Sequence, residues 1–104
     1  MAVTVTTENF EELVAGELPV VIDFWAEWCV PCRTLAPIVD DLAAEYEGRI
    51  IIGKCDVEDN DDIVAKFGIR NIPTVVMLKG GNVVDKQVGA APKDALKAKL
   101  EALL

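Results

Sequence analysis

The sequence predicts an α/β fold in which a central mixed β-sheet is flanked by α-helices on both faces. Three stretches carry that prediction. Val20-Val21-Ile22-Asp23-Phe24-Trp25 is a near-continuous β-branched and aromatic run, the pattern of a central strand covered on both sides. Leu35, Ile38, Val39, Leu42 and Tyr46 then recur at helical spacing, and Ile50-Ile51-Ile52 starts another buried strand. Strand, helix and strand in that order imply a parallel pair with a right-handed crossover. Finally, Thr74–Leu78 and Val83–Val88 lie on either side of Lys79-Gly80-Gly81-Asn82, the signature of an antiparallel hairpin with a short glycine-rich loop.

The remaining elements follow in chain order. Val3–Thr6 alternates valine and threonine, as a short edge strand would. Asn9 and Glu12 are spaced as a capping box, and Phe10, Leu13 and Val14 supply the apolar face of a short helix that Gly16 ends. The long helix should cover Pro31 to Glu47. Pro31 is tolerated in its first turn, where the backbone N–H has no intrahelical partner, whereas Pro37 lies deeper and should kink it. Gly48 closes this helix. A second helix is expected over Asp61–Phe67, stopped by Gly68. Pro92 opens a last one with Leu96, Leu100, Leu103 and Leu104 on one stripe.

With 104 residues, 52% of them hydrophobic and 27% charged, the chain can build one core, so residues 1–104 are read as a single domain. Ten basic against eighteen acidic residues give a net charge of −8. That balance argues against nucleic acid and anionic membrane as partners, since both call for a basic face. Histidine is absent, which removes the commonest acid–base group and metal ligand. Three cysteines do not make a disulfide-stapled miniprotein. The first basic residue is Arg33, so no positively charged segment opens the chain. The longest apolar runs fall well short of the ~18 residues of a membrane span. The expected compartment is the reducing cytoplasm, and the expected state is a monomer.

What chemistry remains belongs to thiols, carboxylates and lysines. Trp28-Cys29-Val30-Pro31-Cys32 stands where the central strand gives way to the long helix. Two intervening residues at a helix start bring the sulfurs within disulfide reach. The helix N-terminus offers free N–H groups and the positive end of the macrodipole, which stabilise a thiolate. Each pH unit by which a thiol pKa is lowered represents about 1.4 kcal/mol. Taken alone the motif fits a half zinc site, a structural disulfide, two packed free cysteines or a redox dithiol. Zinc lacks ligands, because only Cys55 remains and there is no histidine. A structural disulfide is disfavoured by the short loop and the reducing compartment. Glu27 and Arg33 mark a partly exposed turn, which argues against a packed thiol pair.

A carboxylate at Asp23, amid Val20, Val21, Ile22, Phe24 and Trp25, is costly unless something partners it. Lying six residues before Cys29, on the strand that feeds the helix, it is placed beneath the cysteines. Desolvation there would raise its pKa and let it exchange a proton with a thiol. Lys54, on the neighbouring strand, is its candidate charge partner. Cys55, by alternation on a buried strand, is read as a core residue. The run Asp56-Val57-Glu58-Asp59-Asn60-Asp61-Asp62 lacks the glycine and terminal glutamate of a calcium loop, and is read as a solvated helix start.

Asp23 through Cys32 resembles the active-site segment of the thioredoxin family. The likeness continues through Lys54, Gly68-Ile69-Arg70-Asn71-Ile72-Pro73-Thr74 and Val88-Gly89-Ala90, and covers essentially the whole chain. The resemblance implies a thioredoxin fold with a cis peptide at Ile72–Pro73, and reduction of protein disulfides by dithiol–disulfide exchange. It assigns Cys29 as nucleophile and Cys32 as resolving thiol, with Asp23 assisting proton transfer. Trp28, Val30, Pro31, Ile72, Pro73 and Gly89 become the rim that receives an extended substrate backbone. No bound cofactor is implied. Electrons would come from NADPH through a flavin-containing thioredoxin reductase. The chain departs from the family in having Val30 where glycine is usual, Arg33 where lysine is common, and Cys55. An oxidase or isomerase on the same fold, and a docking module with incidental thiols, are the alternative readings. The first calls for an oxidising compartment. The joint presence of both cysteines, Asp23 and Pro73 weighs against the second.

Overall fold

The computed structural model describes residues 2–104. In chain order these form β1 (Val3–Thr4), α1 (Phe10–Val14), β2 (Val20–Trp25), α2 (Val30–Glu45), β3 (Ile51–Asp56), α3 (Asp61–Phe67), β4 (Thr74–Lys79), β5 (Asn82–Val88) and α4 (Lys93–Glu101). The strands join in one mixed sheet of order β1-β3-β2-β4-β5. β3 runs parallel to both β1 and β2, while β4 is antiparallel to β2 and β5. This is the predicted architecture.

Alternation along the central strands divides the core in two. Val21, Ile52, Val75 and Met77 pack against Leu35, Val39 and Leu42 of α2 and against Leu96 and Leu100 of α4. On the opposite face Val20, Ile22, Phe24, Cys55, Val76 and Leu78 pack with Phe10 of α1 and Ile63 of α3. β2 is therefore covered on both sides, which is why its sequence is almost uninterruptedly apolar. Phe67 closes the second cluster edge-on to Phe10, with ring centroids 5.4 Å apart. Among the described residues no helix is long and apolar enough to cross a membrane.

Several boundaries differ from expectation. β1 stops at Thr4, although the Val5 N–H still donates to the Lys54 carbonyl at 2.8 Å. The capping box does not form. Asn9 Oδ1 instead accepts the Thr6 N–H at 2.8 Å, Asn9 Nδ2 donates to the Thr4 carbonyl, and Thr6 Oγ1 accepts the Asn9 N–H. The asparagine thus ties the turn before α1 rather than the helix itself. α2 begins one residue early and ends at Glu45, capped by the Tyr46 N–H on the Leu42 carbonyl. It continues through Pro37 as one element. That proline is exposed, so the carbonyl left without a donor one turn earlier lies on the solvent side. Lys79 and Asn82 pair, leaving Gly80 and Gly81, at φ +61° and +80°, as a two-residue turn that requires left-handed backbone. Leu96, Leu100 and Leu103 are buried, but Leu104 is 55% exposed. α4 ends at Glu101, so the helical stripe does not extend to the last residue.

Candidate active site

The cysteine pair sits at the junction the sequence indicated. After β2 the chain turns at Ala26, whose carbonyl accepts the Cys29 N–H at 3.2 Å. Cys29 is then the N-cap of α2, in extended conformation, with its sulfur accepting the Cys32 N–H at 3.3 Å. Cys29 and Cys32 are joined in a disulfide, with Cα atoms 5.2 Å apart. Both sulfurs therefore lie over the N-terminus of a 16-residue helix. In the dithiol state that helix end favours negative charge on the sulfur at its mouth. Both cysteines are largely covered, Cys32 more than Cys29.

Folding brings a distant segment against them. Pro73 follows Cys32 by 41 residues, yet the Ile72 carbonyl oxygen lies 3.8 Å from Cys29 Sγ. The Ile72–Pro73 peptide is cis, as the resemblance implied. The Pro73 carbonyl accepts the Gly89 N–H at 2.8 Å, and Gly89 has φ +86°, a backbone position suited to glycine. Trp28 and Val30 stand out from this rim at 64% and 66% exposure. Trp28 is fixed by its indole N–H donating to Glu58 Oε1 at 2.5 Å. Arg33 is turned back on the loop, its Nε–H donating to the Glu27 carbonyl at 3.1 Å. The outcome is an exposed apolar shelf beside a mostly covered disulfide.

Asp23 is 1% exposed and lies on the α2 side of the sheet. A cavity of about 100 Å³ is lined by Asp23, Trp25, Cys32, Arg33, Ala36 and Lys54. It connects the carboxyl to the inner cysteine and is large enough to admit water. Among the described residues, neither carboxyl oxygen has a hydrogen-bond partner. Burial pushes the Asp23 pKa from 3.8 up to about 7; the Lys54 charge opposes that rise and the Asp40 charge adds to it. Lys54 is directly opposite Asp23 in the β2–β3 register, but its ammonium pairs with Asp40 Oδ2 at 3.3 Å. It thus acts on Asp23 through space rather than by an ion pair.

Cys55 belongs to the other core cluster and is fully buried. Desolvation, followed by the nearby Asp56 charge, pushes its thiol up to about 11, so it stays protonated and inert. Asp61 and Asp62 occupy the first turn of α3, where they complement the helix dipole. Sequence reading did not single out Asp40 and Glu58. Asp40 is an ordinary polar position on an amphipathic helix, and Glu58 was one acid among many. Their partners Lys54 and Trp28 are set by tertiary register.

The thioredoxin family model matches residues 1–102. A thioredoxin of Chlorobaculum thiosulfatiphilum is 45% identical over 97 residues, covering 92% of this chain and 90% of that protein. Thioredoxin 1 of a Nostoc species is 46% identical over 101 residues, covering 96% and 94%. A thioredoxin of Alicyclobacillus acidocaldarius is 39% identical over 101 residues, covering 97% and 96%. Sheet order, cysteine pair and sequence likeness agree over nearly the full length, and the chain belongs to the thioredoxin family as a protein thiol–disulfide oxidoreductase.

Proposed function

We propose that residues 1–104 act as one monomeric domain that reduces disulfides in protein substrates in the cytoplasm. In the dithiol state Cys29, at the helix mouth, attacks a substrate sulfur as thiolate. A Cys29–substrate disulfide forms and the substrate disulfide breaks, its leaving sulfur taking up a proton. Asp23, as carboxylate, takes the Cys32 proton across the shared cavity. The Cys32 thiolate then attacks Cys29 Sγ, which closes the Cys29–Cys32 disulfide and expels the second substrate sulfur. That sulfur leaves as a thiol once the proton held by Asp23 is returned to it directly or through solvent. Two electrons pass to the substrate. NADPH, through thioredoxin reductase, restores the dithiol, which makes the chain a carrier in electron transport and redox homeostasis.

Trp28, Val30, Pro31, Ile72, Pro73 and Gly89 form the substrate shelf in this reading. Trp28, Val30 and Pro31 present exposed apolar surface suited to a protein partner, whereas Ile72 and Gly89 are half-buried and Pro73 is buried. The observation that carries the proposal is the placement of a buried, unpartnered carboxyl against the inner cysteine of a helix-capping pair. Equilibration of the Cys29–Cys32 couple with glutathione buffers tests the reductive direction. The midpoint is expected to be more negative than about −180 mV, the value typical of a disulfide isomerase. A midpoint at or above that value overturns the reductive assignment in favour of an oxidase or isomerase.

A further inference from the structure

Lys54 and Asp23 face each other across neighbouring strands and line one cavity, yet they do not pair. Lys54 is held instead by Asp40, from α2, whose Oδ2 lies 3.3 Å from the ammonium. Asp40 is itself oriented, because its Oδ1 accepts the Ala2 N–H at 3.2 Å. Asp40 thus has a bond on each oxygen while Asp23 has none. We infer that Asp40 is a positioning residue for the exchange reaction: by holding the Lys54 ammonium, it leaves the Asp23 carboxyl without a salt-bridge partner.

The surroundings of Asp23 make this arrangement consequential. From α2 it faces Cys32, Arg33 and, through Lys54, Asp40; from β3 it faces Lys54. On the other side, Val75 of β4 and Leu96 and Leu100 of α4 line a cavity with it. Arg33 is bound to the Glu27 carbonyl through its Nε–H, and among the described residues Lys54 is the other cation that lines the cavity with Asp23. An ion pair would hold Asp23 ionised and remove it as a carrier that both accepts and returns a proton. The mechanistic consequence rests on the proton-transfer role proposed for Asp23; the placement of Lys54 does not.

The test uses oxidised protein, in which Cys29 and Cys32 do not titrate. The Asp23 carboxyl is followed by ¹³C NMR in the native chain, Asp40→Asn, Lys54→Met and the double variant. Asp40→Asn keeps the side-chain shape while removing the charge that holds Lys54. The Asp23 midpoint is expected to fall by about one pH unit in Asp40→Asn, as Lys54 swings to it. In the Lys54→Met background the same substitution should move it less than half as far, a coupling that only action through Lys54 produces. An unchanged midpoint in Asp40→Asn, or equal shifts in the two backgrounds, overturns the inference. The pH profile of disulfide reduction is recorded alongside. A lowered Asp23 midpoint with an unmoved profile supports the placement of Lys54 by Asp40 and overturns the proton-transfer role of Asp23.

Discussion

Asp23 carries a stability signature that follows from its surroundings. Its folded pKa of about 7 lies above the ordinary carboxyl value of 3.8. Between those values the folded chain therefore binds more protons than the unfolded chain, so stability falls as pH rises through that window. The penalty is absent below pH ~4 and complete above pH ~7, where it amounts to roughly 4 kcal/mol. Asp23→Asn is accordingly expected to raise the urea midpoint at pH 8 and leave it nearly unchanged at pH 4. An equal effect at both pH values would contradict a buried ionisable group. At this scale the sequence was informative wherever chemistry and chain order coincide. A lone carboxylate in an apolar strand, followed at once by two cysteines at a helix start, is legible because adjacent elements must place them together. Lys54 was legible as a neighbour of Asp23 but not as a partner of Asp40. The half-exposed Asp40 satisfies the ammonium without drawing it into the apolar layer, where desolvation would offset the Coulomb gain. No local pattern in the sequence records that competition.

Among the elements, β3 shows how closely the edge of the sheet is packed. A methyl group on Gly53 would overlap the Val5 Cγ2 atom and lie 3.0 Å from the Val3 carbonyl oxygen. β1 can pair there only because the side chain is missing. Gly53→Ala should destabilise the fold by about 1–3 kcal/mol through overpacking, while the folded protein keeps its turnover. A native urea midpoint in that variant would show that the β1 edge is free to move away. Strong periodicity made the helices readable: α3 has the expected bounds, and α2 differs only at its ends. The failure at Asn9 has a definite cause. One side-chain oxygen serves either the helix that follows or the turn that precedes it, and the two Thr6–Asn9 bonds favour the turn. Leu104 was misplaced because periodicity does not announce where a helix stops.

For the molecule as a whole, the site is a product of the complete fold. Cys29 and Cys32 come from one local junction, but the segment facing them arrives from the start of β4, and Gly89 from the end of β5. Those last two positions were legible only through family resemblance, since spacing alone does not bring Pro73 opposite Cys32. The helix–sheet layer that holds α2 in place is buried among Val21, Leu42, Met77 and Leu100. Leu103→Ala, in the same core cluster and outside the residues that line either cavity beside Asp23, is expected to cost about 2–5 kcal/mol of stability. Turnover per folded molecule should stay near the native value, and a proportionate loss would mean that the core tunes the site directly. The central claim is that electrons pass through Cys29 and Cys32 to a protein disulfide. Its most direct test is the rate of disulfide reduction in a protein substrate by the native chain, Cys29→Ser and Cys55→Ala. Reduction should fall to the uncatalysed background in Cys29→Ser and persist in Cys55→Ala; equal rates in the native chain and Cys29→Ser would contradict the account.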